Sequence, residues 1–174
     1  MGSIDHPKGK LKLLPAEHSD TQEILEMQLA AFRNPREPYI DILFPHDEPL
    51  EKAVKRTLDF WLADPSATEQ LTKEQMDKKV KIDWHQDPED NAYGEHCLNW
   101  VHERRMQRTK GKPCVILDML STHPDHQRRG AGTMLMKWGT EVADSLGYEA
   151  FIEASSYGKH LYESWGFIAV PNEW

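Results

Sequence analysis

No stretch of this chain approaches the apolar length that a membrane-spanning helix requires, and Met1-Gly2-Ser3-Ile4-Asp5-His6 forms neither a secretory signal nor a myristoylation motif. The expectation is a cytoplasmic protein without a membrane partner. Cysteine is scarce: Cys97 lies among helix-like residues and Cys114 opens an apolar run, and there are no others. The two could form one bridge, but both read better as reduced core thiols. Positive charge is in deficit, with a formal net charge of −8 and a pI of about 5.6, so the surface field repels nucleic acid and mildly attracts small cations. Internal repeats and low-complexity tracts are missing too. What remains is 39% hydrophobic and 29% charged sequence over 174 residues, which fits one soluble domain with one core.

The most informative segment is Gln127-Arg128-Arg129-Gly130-Ala131-Gly132-Thr133. Before it, Cys114-Val115-Ile116-Leu117-Asp118-Met119-Leu120 is an apolar, β-rich run, broken by Ser121-Thr122-His123-Pro124-Asp125. After it, Leu135, Trp138, Val142 and Leu146 recur at helical spacing until Gly147 offers a C-cap. Glycines let backbone approach a ligand, and the first N–H groups of a helix point at whatever precedes them. An anion fits there. A Walker loop would need Gly-Lys-Ser or Gly-Lys-Thr, and a dinucleotide fingerprint a third glycine; Met134 and Leu135 stand instead.

The run Gln-Arg-Arg-Gly-Ala-Gly after a strand and a proline break resembles the acetyl-CoA signature of the GNAT superfamily of N-acetyltransferases, written Q/R-x-x-G-x-G/A. Further on, Phe151-Ile152-Glu153-Ala154-Ser155, then Leu161-Tyr162-Glu163-Ser164-Trp165-Gly166-Phe167, is similar to that superfamily's closing strand, helix and "LYEKxGF" element, in a form like its fungal small-molecule acetyltransferases. The resemblance implies an α/β fold, a mixed central sheet flanked by helices, with acetyl-CoA in the splay between parallel strands at 114–121 and 148–153. It implies acetyl transfer to a primary amine by direct attack in a ternary complex, without an acyl-enzyme. On that basis Gln127, Arg128, Arg129, Gly130, Ala131, Gly132 and Thr133 hold the pyrophosphate. The backbones of Met119, Leu120 and Thr122 hold the pantetheine arm and thioester, and Ser155 stands where relatives carry an asparagine touching that arm.

Tyr162 is either a core aromatic with a wet tip or the hydroxyl that gives the departing thiolate its proton. Glu153 and Asp118 are the candidate general bases, each either facing the cleft or satisfied by neighbours, and a water chain would also serve a neutral amine. His123 and His126 form an H-x-x-H pair without a third ligand, so no metal is expected. Arg104, Arg105, Arg108, Lys110 and Lys112 read either as a solvated helix face or as partners of coenzyme A's terminal phosphate.

Along the chain, Leu11 and Leu13 read as a first strand ending at Pro15. Asp20 and Glu23 make a capping box for a helix through Ile24, Leu25, Leu29 and Phe32, and a second helix runs from Pro49 through Leu50, Val54, Leu58, Trp61 and Leu62 to Pro65. Between them, residues 34–49 read as a proline-rich loop in which Tyr39, Phe44 and His46 would line a pocket for a small-molecule or peptide amine. From Ser66 to Gly111 the family's central hairpin is missing: Thr72 and Gln75 suggest a cap, Val80, Ile82 and Trp84 one short strand, and Tyr93, Cys97, Trp100, Val101 and Arg104 an amphipathic helix. Phe167-Ile168-Ala169-Val170 reads as one closing strand where the family continues into another. Absent strands would leave sheet edges open to pairing between copies, and they motivate the alternative reading of a GNAT-derived module that binds coenzyme A or a protein without turnover.

Overall fold

The computed structural model describes residues 10–63 and 79–170. Its elements, in chain order, are α1 (Thr21–Phe32), α2 (Pro38–Leu43), α3 (Leu50–Ala63), α4 (Pro88–Thr109), β1 (Cys114–Leu117), α5 (Ala131–Leu146), β2 (Glu149–Ile152) and α6 (Lys159–Ser164). The fold is α/β, with helices around a parallel pair of strands. Single 3-10 turns precede α1 at His18–Asp20 and α5 at Pro124–His126.

The first three helices build a core from Leu25, Ile40, Phe44 and Ala53, with Leu29, Phe32, Leu43, Val54 and Met119 packed on it. Leu25 and Ile40 are fully buried, worth about 1.5–3 kcal/mol each in apolar transfer. Arginines hold the turn that follows α2. Arg33 Nη2 donates to the Phe44 carbonyl at 2.9 Å, and Arg56 Nη2 donates to the Leu43 carbonyl at 2.8 Å and to Glu48 Oε2 at 2.6 Å. The Arg56 guanidinium also lies 4.1 Å from the Trp84 ring centroid, and the Trp84 indole N–H reaches the Ile42 carbonyl.

Five expectations change. Residues 10–17 form no strand, and Leu14 stands exposed, because no described strand is there to pair with them. The capping box sits three residues earlier, between Glu17 and Asp20 on the 3-10 turn, and Asp20 gives α1 no side-chain cap. Residues 34–49 are not one loop, since Pro38 starts α2 at its first turn, where a fixed φ and a missing N–H are no handicap. Val80–Trp84 is extended but pairs with a helix: Asn99 accepts the Val80 N–H at 2.8 Å and Glu95 accepts the Ile82 N–H at 3.0 Å, both from α4. Residues 167–170 form no strand, and Ile168 is 88% exposed. The Thr72–Gln75 cap and Pro65 lie outside the described residues.

β1 and β2 pair in parallel, Cys114 with Glu149 through Leu117 with Ile152. The helix between them, α5, supplies the crossover that parallel strands require and packs on both. Its buried positions are Met136 and Ala143, seven residues apart, with Leu135 and Val142 half-buried; Trp138, placed on the inner stripe by the sequence, is 55% exposed. Gly147 ends α5 at φ +67°, donating to the Ala143 and Asp144 carbonyls, as its C-cap role requires.

Candidate functional site

Two features of this fold converge on one region: the glycine turn that starts α5, and the point where the β1–β2 ladder stops. In the turn, Arg128 at φ +60° and Gly130 at φ +91° are both left-handed and flank Arg129. A Cβ built on Gly130 would meet nothing within 4 Å, so glycine is needed there for its backbone angle rather than for space. Gly132 differs, since its Cβ would stand 3.3 Å from Leu161 of α6, and glycine lets the two helices close. No side chain caps α5, and its first backbone bond runs from the Met134 N–H to the Gly130 carbonyl. The N–H groups of Ala131, Gly132 and Thr133 therefore have no acceptor inside the helix. With the helix dipole behind them, they fit a phosphate. Arg129 Nη1 lies 3.3 Å from His126 Nδ1, and Gln127 Nε2 reaches the Thr122 carbonyl at 3.5 Å.

Beyond Leu117 and Ile152 the ladder ends, and residues 118–122 run free of regular structure. Met119 turns its side chain onto the α1–α3 core, and the Ser121 hydroxyl donates to Met27 Sδ at 3.3 Å. Among the described residues the backbones of Met119 and Leu120 make no hydrogen bond, so their N–H and C=O groups are open to a ligand.

Asp118 and Glu153, the two candidate bases, come together in a way the sequence did not show. Arg105 of α4 donates from Nε to Glu153 Oε1 at 2.8 Å, from Nη2 to Glu153 Oε2 at 2.7 Å, and from Nη2 to Asp118 Oδ1 at 3.0 Å. Burial by itself would lower the Arg105 pKa, but its bonds to Glu153 and then Asp118 carry it well above the usual guanidinium value. Tyr39 of α2 feels the same cluster: burial first, then the Asp118 charge, push its hydroxyl up to about 12. The basic run thus divides, with Arg105 serving neither solvent nor phosphate. A signal existed, because Cys97, Val101 and Arg105 recur every fourth residue and so share one face of α4.

Tyr162 sits on α6 with its ring edge-on to Phe167, centroids 6.4 Å apart. A Cβ on Gly158 would fall 2.6 Å from the Tyr162 ring, so that glycine makes room for it. Half-burial raises the Tyr162 pKa, which keeps its proton in place at neutral pH. Ser155 Oγ accepts the Gly158 N–H at 3.4 Å and helps shape the turn into α6.

Of the residues in the proline-rich segment, Phe44 and His46 line a cavity of about 310 Å³ with Glu26, Leu29, Arg33 and Glu48, whereas Tyr39 does not line it and lies within reach of the charges of Asp118, Arg105 and Glu153. Cys97 and Cys114 are free thiols, and burial raises the Cys114 pKa. The His123 and His126 rings lie 5.6 Å apart. Among the described residues no group of three or more His, Cys, Asp or Glu side chains could hold a metal, and no helix is long and apolar enough to cross a membrane.

Residues 89–169 match the family model of the acetyltransferase (GNAT) domain. The matched segment, just under half of the chain, runs from the start of α4 past α6 and takes in the glycine turn, both strand ends, Arg105 and Tyr162. No curated protein and no solved structure matches the chain.

Proposed function

We propose that this protein is an acetyl-CoA-dependent N-acetyltransferase that passes the acetyl group to a primary amine by direct attack in a ternary complex. The observation that carries the reading is the open N-terminus of α5 behind Gly130, lying within the matched segment beside a parallel ladder that stops at Leu117 and Ile152. Acetyl-CoA, when bound, supplies an activated acetyl group and an anionic pyrophosphate. The N–H groups of Ala131, Gly132 and Thr133, with Gln127, Arg128 and Arg129, would hold that anion, each charge-assisted bond worth about 1.5–3 kcal/mol. The free backbone of Met119 and Leu120 would hold the arm, with Thr122 and Ser155 at its flanks. Tyr162, protonated at neutral pH, would donate to the leaving thiolate.

Asp118 and Glu153 are less suited to act as bases than the sequence suggested. Glu153 has both oxygens on a guanidinium, and an attacking amine is better served through Asp118, which keeps one oxygen free of Arg105, or through water. The net charge of −8 favours a small cationic amine as acceptor, and the compartment that fits is the cytoplasm.

A second reading, a GNAT-derived module that binds without turnover, is favoured by that Arg105 clamp and by the short, two-stranded sheet among the described residues. Steady-state assays with acetyl-CoA and a panel of amines, run on wild type and Tyr162→Phe, separate the two. The enzyme reading expects turnover that falls roughly tenfold to several hundredfold in Tyr162→Phe at nearly unchanged acetyl-CoA affinity. Acetyl-CoA binding with no turnover on any amine would favour the module.

A further inference from the structure

The β1–β2 register, continued by one residue, would set Asp118 directly opposite Glu153. Two carboxylates in that relation repel, and the ladder ends at this step. Both side chains lie on one face, since both reach the same guanidinium, and that guanidinium comes from a third element, the 22-residue α4. Arg105 is 22% exposed, whereas Asp118 and Glu153 are 68% and 44% exposed. Ion pairs with carboxylates so open to water contribute little to stability, so the geometry has to matter in some other way.

We propose that Arg105 is a positioning residue whose simultaneous grip on Asp118 and Glu153 sets how far the two strands part beyond Leu117 and Ile152, and with it the width of the cleft between them. Repulsion between the carboxylates opens the ladder; the fork of Arg105 fixes the opening at one value. Its Nε and Nη2 engage Glu153 side-on while Nη2 also reaches Asp118, a bridge that a point-charge ammonium cannot reproduce. The clamp rests on the acetyl-CoA reading only in what the cleft receives. The strand spacing itself is a property of the chain alone.

The test compares wild type with Arg105→Gln, Arg105→Lys and the charge-free triple variant Arg105→Gln/Asp118→Asn/Glu153→Gln, by acetyl-CoA calorimetry, steady-state turnover, thermal unfolding and amide hydrogen exchange. Misplaced groups around a reacting centre cost up to about 100-fold. Arg105→Gln should accordingly weaken acetyl-CoA binding roughly tenfold to a hundredfold, lower turnover with it, and speed exchange of the amides of residues 115–117 and 150–152. Arg105→Lys should fall between it and wild type. The triple variant should regain wild-type exchange without regaining acetyl-CoA binding, since it removes the repulsion together with the spacer, and melting temperatures should stay close across the series. Unchanged exchange in Arg105→Gln, or full recovery of binding in the triple variant, would overturn the clamp. If wild type binds no acetyl-CoA but Arg105→Gln still loosens the ladder, the clamp stands and the acetyl-CoA reading fails.

Discussion

Tyr39 shows what a single residue contributes that the sequence could not display. It was legible as an aromatic in a proline-rich segment, and in the structure it leaves the cavity lining and comes under the charges of Asp118, Arg105 and Glu153, with its hydroxyl pushed up to about 12. A tyrosine that holds its proton more tightly when folded than when unfolded stabilises the protein below the unfolded pKa of about 10, and that contribution is lost as pH rises toward 12. Wild type should therefore lose melting temperature between pH 10 and 12 more steeply than Tyr39→Phe, because the unfolded chain gives up this proton first. Parallel slopes in a pH series of thermal melts would remove Tyr39 from the cluster. At this scale the glycine turn and the helix it starts were readable, because their cues are local. Arg105 was not, since its partners lie 13 and 48 positions away and only fold-level register brings them together.

Among the elements, four helices and the parallel pair of strands formed where their patterns put them, and the other expected strands, at 11–13, 80–84 and 167–170, did not. The stripes that predicted α1, α3 and α5 are set by a face to be buried, which a helix satisfies with its own backbone bonds, whereas the stripe expected on α4 is not its buried face, since Tyr93 is 63% exposed and the buried positions are Gly94 and Thr109. The alternation Val80, Ile82, Trp84 likewise reports one buried face, and Ile82 is 5% exposed, but alternation does not say who accepts the N–H groups. Side chains of α4 do, at Glu95 and Asn99, and Gly94 lets the extended segment lie close. A Cβ at Gly94 would come within 2.8 Å of Ile82 Cδ1 and 3.1 Å of Ile42 Cγ2. Gly94→Ala should therefore destabilise by about 1–3 kcal/mol despite the better helix propensity of alanine. That is a fall of roughly 2–4 °C in melting temperature per kcal/mol for a chain of this size. A higher melting temperature in Gly94→Ala would show that the segment yields.

Across the whole molecule, the sheet is only partly covered. No residue of β1 or β2 is fully buried, Ile116 of β1 is 39% exposed, and Trp138 and Ile168 add apolar surface nearby in the chain. Among the described residues each strand has one partner, so each leaves an edge of backbone donors and acceptors open. We expect self-association through such an edge, opposed by the net charge of −8 and therefore strengthened by salt that screens it. Sedimentation at low and high ionic strength checks this: association growing with salt supports the expectation, and a strict monomer at every salt concentration contradicts it. The crossover helix was readable from its apolar stripe, and the α/β class from the family resemblance of the segments around it. The extent of the sheet was not, because pairing depends on partners that the pattern of a single strand does not name.

On the proposed function, the start of α5 holds the pyrophosphate of acetyl-CoA. Calorimetric titration of acetyl-CoA into wild type and Gly130→Asp tests it most directly, with circular dichroism to confirm that both are folded. Aspartate there strains a backbone at φ +91° and sets a carboxylate beside the N–H groups meant for phosphate. The account predicts saturable binding to wild type and none to folded Gly130→Asp. Equal affinity in the two proteins, or no binding to wild type, would contradict it.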